Sequence, residues 1–385
     1  MAALRPDSEP NINPVSVGEI RGCGRTRLWI TRTLGVLIDM IKWPSRSVRL
    51  CTAVALTALL AGALGSAAVS ASTQARLVSK SAKIHIAFFG FETSNSFAQA
   101  GWKGVQKAAK RYHGTATFLN GNFDPTTQDN QMTDAIAEHK YNVFVVEAYG
   151  DAEIVPYVRR AIKAGIAVVA EYAPIGSNFT TVKPQVPGLI SVVDVPKHNG
   201  MVLGQMGIAA CGNVDPCQVA FLIGNTTSPL DVVRSHEVES VLKSDPKVDL
   251  VATPVAGYVQ ATGETTAQEV LAAHPDLNVM IGSSQAIEGA QIYLQQAGKL
   301  NQVKLVGNGG STQAVDAVKA GKWFATYFED EPAEAYLATK LAIEKFQGKK
   351  VQTAVNSASI GPVGKWLGDG TRAHLKGVAG TYSDY

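Results

Sequence analysis

The sequence predicts an α/β protein built as two doubly wound parallel-sheet lobes. Three observations carry that reading. Dense apolar runs recur about every 25 to 30 residues with amphipathic stretches between them, the rhythm of strands joined by crossover helices. One such unit is complete between Asn142 and Pro174. It has an apolar run at Val143–Val146, then Ile154, Val155, Val158, Ala161 and Ile162 on one helical face, then Gly165 and a second run at Ile166–Ala170. Strand, helix and strand with so tight an exit require a parallel sheet. Finally, the rhythm restarts after Val193 with no long linker, which suggests two similar lobes closing over a shared cleft.

In chain order, strands are expected at Ile84–Phe89, Thr115–Leu119, Val143–Val146, Ile166–Ala170 and Gly188–Val193. Helices are expected at Phe97–Tyr112, at Gln128–His139 and from near Val155, where Pro156 removes a hydrogen bond and Asp151 caps a looser turn. The second half repeats the alternation. Its helices fall at His198–Ala210, Leu230–Leu242, Thr265–Ala273, Ala286–Ala297 and Thr312–Ala320, and its strands at Gln218–Ile223, Leu250–Thr253, Val279–Ile281, Val303–Val306 and Phe324–Phe328. A long helix, Ala333–Phe346, precedes an irregular tail. In the complete unit the strands stop at polar or aromatic residues, Glu147 and Tyr149 after the first and Glu171 and Tyr172 after the second. Open parallel sheets bind small ligands just beyond such carboxyl ends.

At 385 residues, 46% hydrophobic and 17% charged, the chain has a globular composition and room for two domains. Its formal charge of +3 is unevenly spread. Residues 1–71 hold eight Lys or Arg and four acids, which leaves 27 basic and 28 acidic residues in the body. A body with net charge −1 has no electrostatic case for binding nucleic acid. Arg46 and Arg49 precede the apolar segment Cys51–Ala71, which ends in small residues with Val69 and Ala71 at the positions a signal peptidase reads. We read residues 1–71 as an extension plus signal peptide, with Met40 a candidate translation start, and 72–82 as a linker. An uncleaved anchor is the alternative, since about 20 apolar residues span a bilayer. No Cys follows the segment where a lipoprotein would need one. Either way the body is expected outside the cytoplasm, in the periplasm or cell envelope.

Of four Cys, Cys23 and Cys51 fall in the removed segment, leaving Cys211 and Cys217 around a turn-forming spacer. In an oxidising compartment a disulfide is expected, with two buried thiols as the alternative. Two Cys without a nearby His make no metal site, and neither metal nor cofactor is expected. Phosphate-cradling GxGxxG and GxxxxGK loops, a GxSxG elbow and an HExxH pair are all missing from the sequence. No nucleophile, base and oxyanion set emerges, so an enzyme is not expected.

Seven blocks in order carry a resemblance: AIKAGIAVVAEY, ISVVDVPKHNG, LAAHPDLNVMIG, YLQQAGK, LVGNGG, KWFATYF and GKKVQ. Together they resemble the periplasmic binding proteins of the ribose-binding type (type I), the solute-capturing components of ABC importers, over Lys83 to about Ala354. The resemblance implies two lobes joined by a three-crossing hinge near Val193/Asp194, Asp330/Glu331 and Asn356/Ser357. That gives an N-terminal lobe of residues 83–193 plus 331–356, and a C-terminal lobe and tail of 194–330 plus 357–385. It also implies a monomer, a sugar or polyol as solute, and a membrane permease and ATPase as partners. A sensory role toward a chemoreceptor or kinase fits the same family. The related repressors carry a helix-turn-helix in front, where this chain has its export signal.

Family ligand contacts carry over where motifs match. After the first strand Asn95 and Phe97 are retained, with Phe91 also set at the cleft, although Ser96 replaces the family's Pro. Glu171, followed by Tyr172, stands where sugar binders place an Asp. Arg234 matches the ligand-binding Arg, and Tyr258 falls where a ring stacks on the sugar. An Asn-Asp pair is replaced by Ser283-Ser284, and an Asp by Gly309 beside Asn308. The polar residue before the closing helix is Glu329 or Asp330. With three hydroxyl-binding positions changed, a simple pentose or hexose specificity is not inherited. Glu171 with Glu329 or Asp330 could instead neutralise an amine. Tyr149 and Asn225 are rim candidates, Trp102 is expected in the core, and Asp194 is expected to organise a crossing rather than touch solute.

Overall fold

The computed structural model describes residues 83–385. The extension, signal-peptide, Met40, Cys23, Cys51 and linker readings lie outside the described residues. Two six-stranded sheets organise the rest. The first contains β1 (His85–Gly90), β2 (Thr115–Asn120), β3 (Val143–Val146), β4 (Ala167–Tyr172), β5 (Ile190–Val193) and β11 (Ala354–Asn356), in the order β11-β5-β4-β3-β1-β2, all parallel. The second contains β6 (Cys217–Phe221), β7 (Val248–Ala252), β8 (Val279–Ile281), β9 (Lys304–Asn308), β10 (Ala325–Tyr327) and β12 (Asp369–Thr371), in the order β12-β10-β9-β8-β6-β7. Only β12 runs antiparallel there, against β10.

Period-two alternation explains why both faces of each sheet are apolar. In β1, Phe89 packs with Met132 and Phe144 on one face, while Phe88 packs with Val105, Val145 and Ala338 on the other. The first face is covered by α2 (Pro125–Ala137) and α3 (Val155–Lys163), the second by α1 (Ser96–Arg111) and α9 (Glu331–Phe346). Helices α1 and α9 approach closely because Gly104 has no side chain: a Cβ there would run into the backbone of Pro332 and Tyr336. The second sheet is covered in the same way by α4 (Pro196–Cys211), α5 (Pro229–Ser244), α6 (Gln260–Ala273), α7 (Ser284–Gln296) and α8 (Thr312–Lys319).

Three crossings join the lobes. Chain leaves the first sheet after β5, returns from β10 into α9, and leaves again after β11 toward β12. Asp194, on the first crossing, accepts hydrogen bonds from Tyr327 Oη at 3.0 Å and Asn199 Nδ2 at 2.9 Å. It thereby ties the first crossing to the strand that feeds the second. Cys211 and Cys217 form a disulfide. Among the described residues, no helix is long and apolar enough to cross a membrane.

Three expectations are corrected. Strand β4 runs on through Glu171 and Tyr172 instead of stopping before them. Helix α3 starts at Val155, where it was expected, but with Ile154 at its N-cap and no side-chain cap; the Asp151 carboxyl does not cap the preceding turn and is buried, which pushes it well above the ordinary carboxylate range. The tail contains strands β11 and β12, each of only three residues.

Candidate functional site

The carboxyl ends of the two sheets face one cavity. The first lobe contributes Phe91 after β1, Asn95 and Phe97 at the start of α1, Phe123 after β2, Tyr149 after β3 and Tyr172 at the end of β4. The second contributes Ser228, Leu230, Asp231 and Arg234 at the start of α5, Tyr258 ahead of α6, Gln285 on α7 and Asn308 ending β9. Glu329 enters from the second crossing and Tyr382 from the tail.

Rings form most of the wall. Phe97 meets Tyr172 edge-on at 4.7 Å, Phe91 meets Tyr149 edge-on at 6.2 Å, and Phe123 stacks against Tyr258 across the cleft at 6.3 Å. Leu230, from the second lobe, is buried in the first lobe's apolar cluster, so the cleft is shut.

The polar floor is organised around Arg234, 5% exposed. Its Nη1 donates to Asp231 Oδ1 at 3.0 Å, one helical turn away on α5. Its Nη2 donates to Tyr172 Oη at 2.5 Å, linking the lobes, and its Nε has no partner. Tyr258 Oη donates to the same Asp231 oxygen at 2.5 Å. Burial raises the Asp231 carboxyl above its usual range, opposed by Arg234. Glu329 is 2% exposed, and its Oε1 is unpartnered. Burial, and then the charge of Asp194, push it well above the ordinary carboxylate range. The cavity thus offers a guest one free carboxylate oxygen and one free guanidinium N–H amid aromatic faces. Such a set grips hydroxyls and covers an apolar ring face.

Of the residues expected at the site, Phe91, Asn95, Phe97, Tyr172, Arg234, Tyr258, Asn308 and Glu329 line this cavity. Asn95 also caps α1, accepting from Ala98 N at 3.0 Å. Three do not line it. Glu171, one residue before Tyr172, points to the opposite side of β4 and is fully buried within its lobe. Ser283 caps α7 and donates to Gly257 O at 3.0 Å, which holds it behind Tyr258 and Arg234. Asp330 caps α9, accepting from Ala333 N at 3.3 Å. Sequence reasoning missed Phe123, Ser228, Leu230, Asp231, Gln285 and Tyr382 as lining residues, and held Tyr149 only as a rim position. The i, i+3 spacing of Asp231 and Arg234 on one helix was the signal available for Asp231. Tyr382 had none.

Glu171 belongs to a different constellation. One oxygen each from Glu147, Glu171 and Glu331 lie within 4.8 Å of one another, and all three side chains are fully buried. Glu147 Oε2 accepts from Phe91 N at 2.8 Å; Glu171 and Glu331 face each other, and neighbouring Glu334 faces Ser357. No Lys or Arg is paired with them among the described residues. Three such oxygens could hold a hard cation. Without one, burial favours the protonated forms, pushing Glu147 up to about 8 and Glu171 and Glu331 well above their usual range.

A cleft shut between two parallel-sheet lobes, walled by rings and floored by a few convergent polar groups, defines a two-lobed binder of small polar ligands. The chain belongs to the periplasmic binding protein domain family, whose model matches residues 86–350. A curated relative, the ribose import binding protein of Bacillus subtilis (strain 168), is 22% identical over 267 residues, 69% of this chain and 82% of its own. Among solved structures, an ABC transporter solute binding protein from Mycobacterium smegmatis with bound glycerol has a TM-score of 0.64 at 22% identity, covering 78% of this chain and 99% of its own. One from Bacillus halodurans C-125 with bound myo-inositol also reaches 0.64, at 17% identity, covering 77% and 97%. These likenesses bear on the fold.

Proposed function

We propose that the protein is the exported solute-binding component of an ABC importer, capturing a sugar or sugar alcohol by closure of its two lobes. The observation that carries this is the cavity itself: aromatic faces from both lobes enclose a floor where Glu329 Oε1 and Arg234 Nε are unsatisfied. A polyhydroxylated guest supplies the missing partners, and leaving them unmade costs about 1 to 3 kcal/mol per buried group. The glycerol and myo-inositol bound by structural relatives support this class of guest. Closure changes the exterior that a permease and its ATPase would read, so capture and docking are coupled.

A second reading follows from charge. Asp231 and Glu329 stand against one Arg234 at the cavity, so an amine-bearing solute such as an amino sugar would also be neutralised there. A thermal-shift screen against sugars, polyols, amino sugars and amino acids separates the two, because a ligand that binds the folded state raises its stability by mass action. Saturable stabilisation by a neutral polyol supports the first reading and by an amine the second. No shift with any class, or chemical conversion of the guest, overturns both.

A further inference from the structure

The tail that follows β12 lies beyond the family-matched residues 86–350, yet it reaches the cavity. It is anchored on the second lobe at the start of α8. Tyr382 O accepts from Thr312 N at 2.7 Å and from Thr312 Oγ1 at 3.0 Å, Thr381 N donates to Gly310 O at 3.0 Å, and Asp384 N donates to Gln313 Oε1 at 3.1 Å. Gly380 is needed for this seat, because a Cβ there would strike the backbone of Thr312 and Ser311. From that anchor the tail makes its contacts with the other lobe. Asp384 Oδ1 accepts from Ser96 Oγ, the first residue of α1, at 2.9 Å. Ser96 Oγ in turn accepts from Gln285 Nε2 of the second lobe at 3.0 Å. The Tyr382 ring stands edge-on to Phe97 of the first lobe, 6.0 Å between centroids. Asp384 and Tyr382 are 4% and 6% exposed; Ser284 faces both the Asp384 carboxylate and the Tyr382 hydroxyl, without a close hydrogen bond to Asp384 Oδ2 or Tyr382 Oη.

We propose that Thr381–Asp384 is a working part of the solute site: Asp384 latches the tail of the second lobe to Ser96 of the first when the cleft shuts, and Tyr382 is a specificity-determining residue that offers its hydroxyl to the captured molecule. The Ser96 bond joins groups on different lobes, so it exists only in the closed arrangement. The Tyr382 hydroxyl sits in the same cavity as the free groups of Glu329 and Arg234 and completes a set suited to a molecule bearing several hydroxyls. The Tyr382 assignment rests on the solute-capture reading; the latch does not.

Two measurements on the whole protein test the proposal separately from that reading. In the first, the double variant Ser96→Cys/Asp384→Cys is treated with a one-carbon thiol cross-linker, with and without myo-inositol, D-allose or glycerol. A cross-link is expected in the variant and in neither single-cysteine control, forming several-fold faster with whichever probe binds. No cross-link under any condition overturns the latch. In the second, titration calorimetry with the same three probes compares wild type, Tyr382→Phe and Tyr382→Ala. Affinity for the bound probe is expected to fall about tenfold in Tyr382→Phe and further in Tyr382→Ala, the loss expected for one buried hydrogen bond and then a ring. Unchanged affinity in both variants overturns the role of Tyr382 and leaves solute capture standing. If none of the three probes binds wild type, neutral polyols of this kind are not the guest and the role assigned to Tyr382 falls with them; the cross-link still decides the latch.

Discussion

Glu171 and Tyr172 are consecutive in β4, yet they serve opposite sides of the same lobe. Glu171 is sealed among Glu147 and Glu331, while Tyr172 opens on the cavity and accepts a hydrogen bond from Arg234 Nη2 at 2.5 Å. A single step of strand alternation therefore separates a buried acid cluster from the ligand-facing floor. Anything that shifts one is expected to move the other.

The acid cluster makes stability depend on pH in a definite direction. Glu147, Glu171 and Glu331 titrate above the ordinary carboxylate range because burial disfavours their charge. The folded protein then keeps protons that the unfolded chain releases, so stability is full below the unfolded value of 4.5 and declines as pH rises toward the Glu147 value of about 8. Glu171→Gln should therefore raise the melting temperature more at about pH 8 than at about pH 5. An equal effect at both would show that no proton is held there, and loss of stability at high pH would point to a bound cation.

Arg234→Ala should destabilise the protein by roughly 3 to 5 kcal/mol, since it strands the buried Asp231 carboxylate. Arg234→Lys should cost less in stability and still weaken solute binding, because a Lys cannot bridge Asp231 and Tyr172 with separate nitrogens. Urea unfolding of both variants checks this, and equal midpoints would argue against the bridging role.

Tyr258→Ala should weaken the cognate solute by about 1 to 3 kcal/mol through lost ring contact and burial. Tyr258→Phe keeps the ring and removes the hydrogen bond to Asp231, so it should cost less affinity than the alanine variant. Calorimetry with the solute found in the screen decides. A phenylalanine variant as weak as the alanine one would mean that the hydroxyl, not the ring, matters.

Replacing both Cys211 and Cys217 by Ser opens a loop of sequence separation 6 and should lower unfolding stability by about 2 kcal/mol. Solute affinity should be unchanged, since the bridge closes the α4–β6 turn and neither Cys lines the cavity. A large loss of affinity would show that the turn is coupled to the cleft.

Most of the fold was legible because buried parallel strands are written as dense apolar runs. Val143–Val146 is fully buried along its length, as is Val279–Ile281, and the sequence marks both without ambiguity. Strands β11 and β12 were not legible: each has three residues, is only partly buried apart from Gly370, and gives no periodicity to read. At the site, positions just past a strand end or opening a helix could be inferred by count, as with Phe97, Arg234 and Tyr258. Glu171 could not, because the end of β4 was set one turn of alternation too early, and sequence alone does not say which side of its last residues faces out. Tyr382 was out of reach for another reason. Its place depends on a tail held down by backbone bonds to Thr312 and Gly310, which leave no trace in side-chain pattern.

The interleaving of the two sheets has a consequence for how this molecule is made. The core of the first lobe needs α9 and β11, which come from residues 331–356, long after its other five strands have been synthesised. No early stretch of the growing chain contains a finished half. Until residues 331–356 have emerged, the first lobe lacks the helix and the edge strand that complete its core.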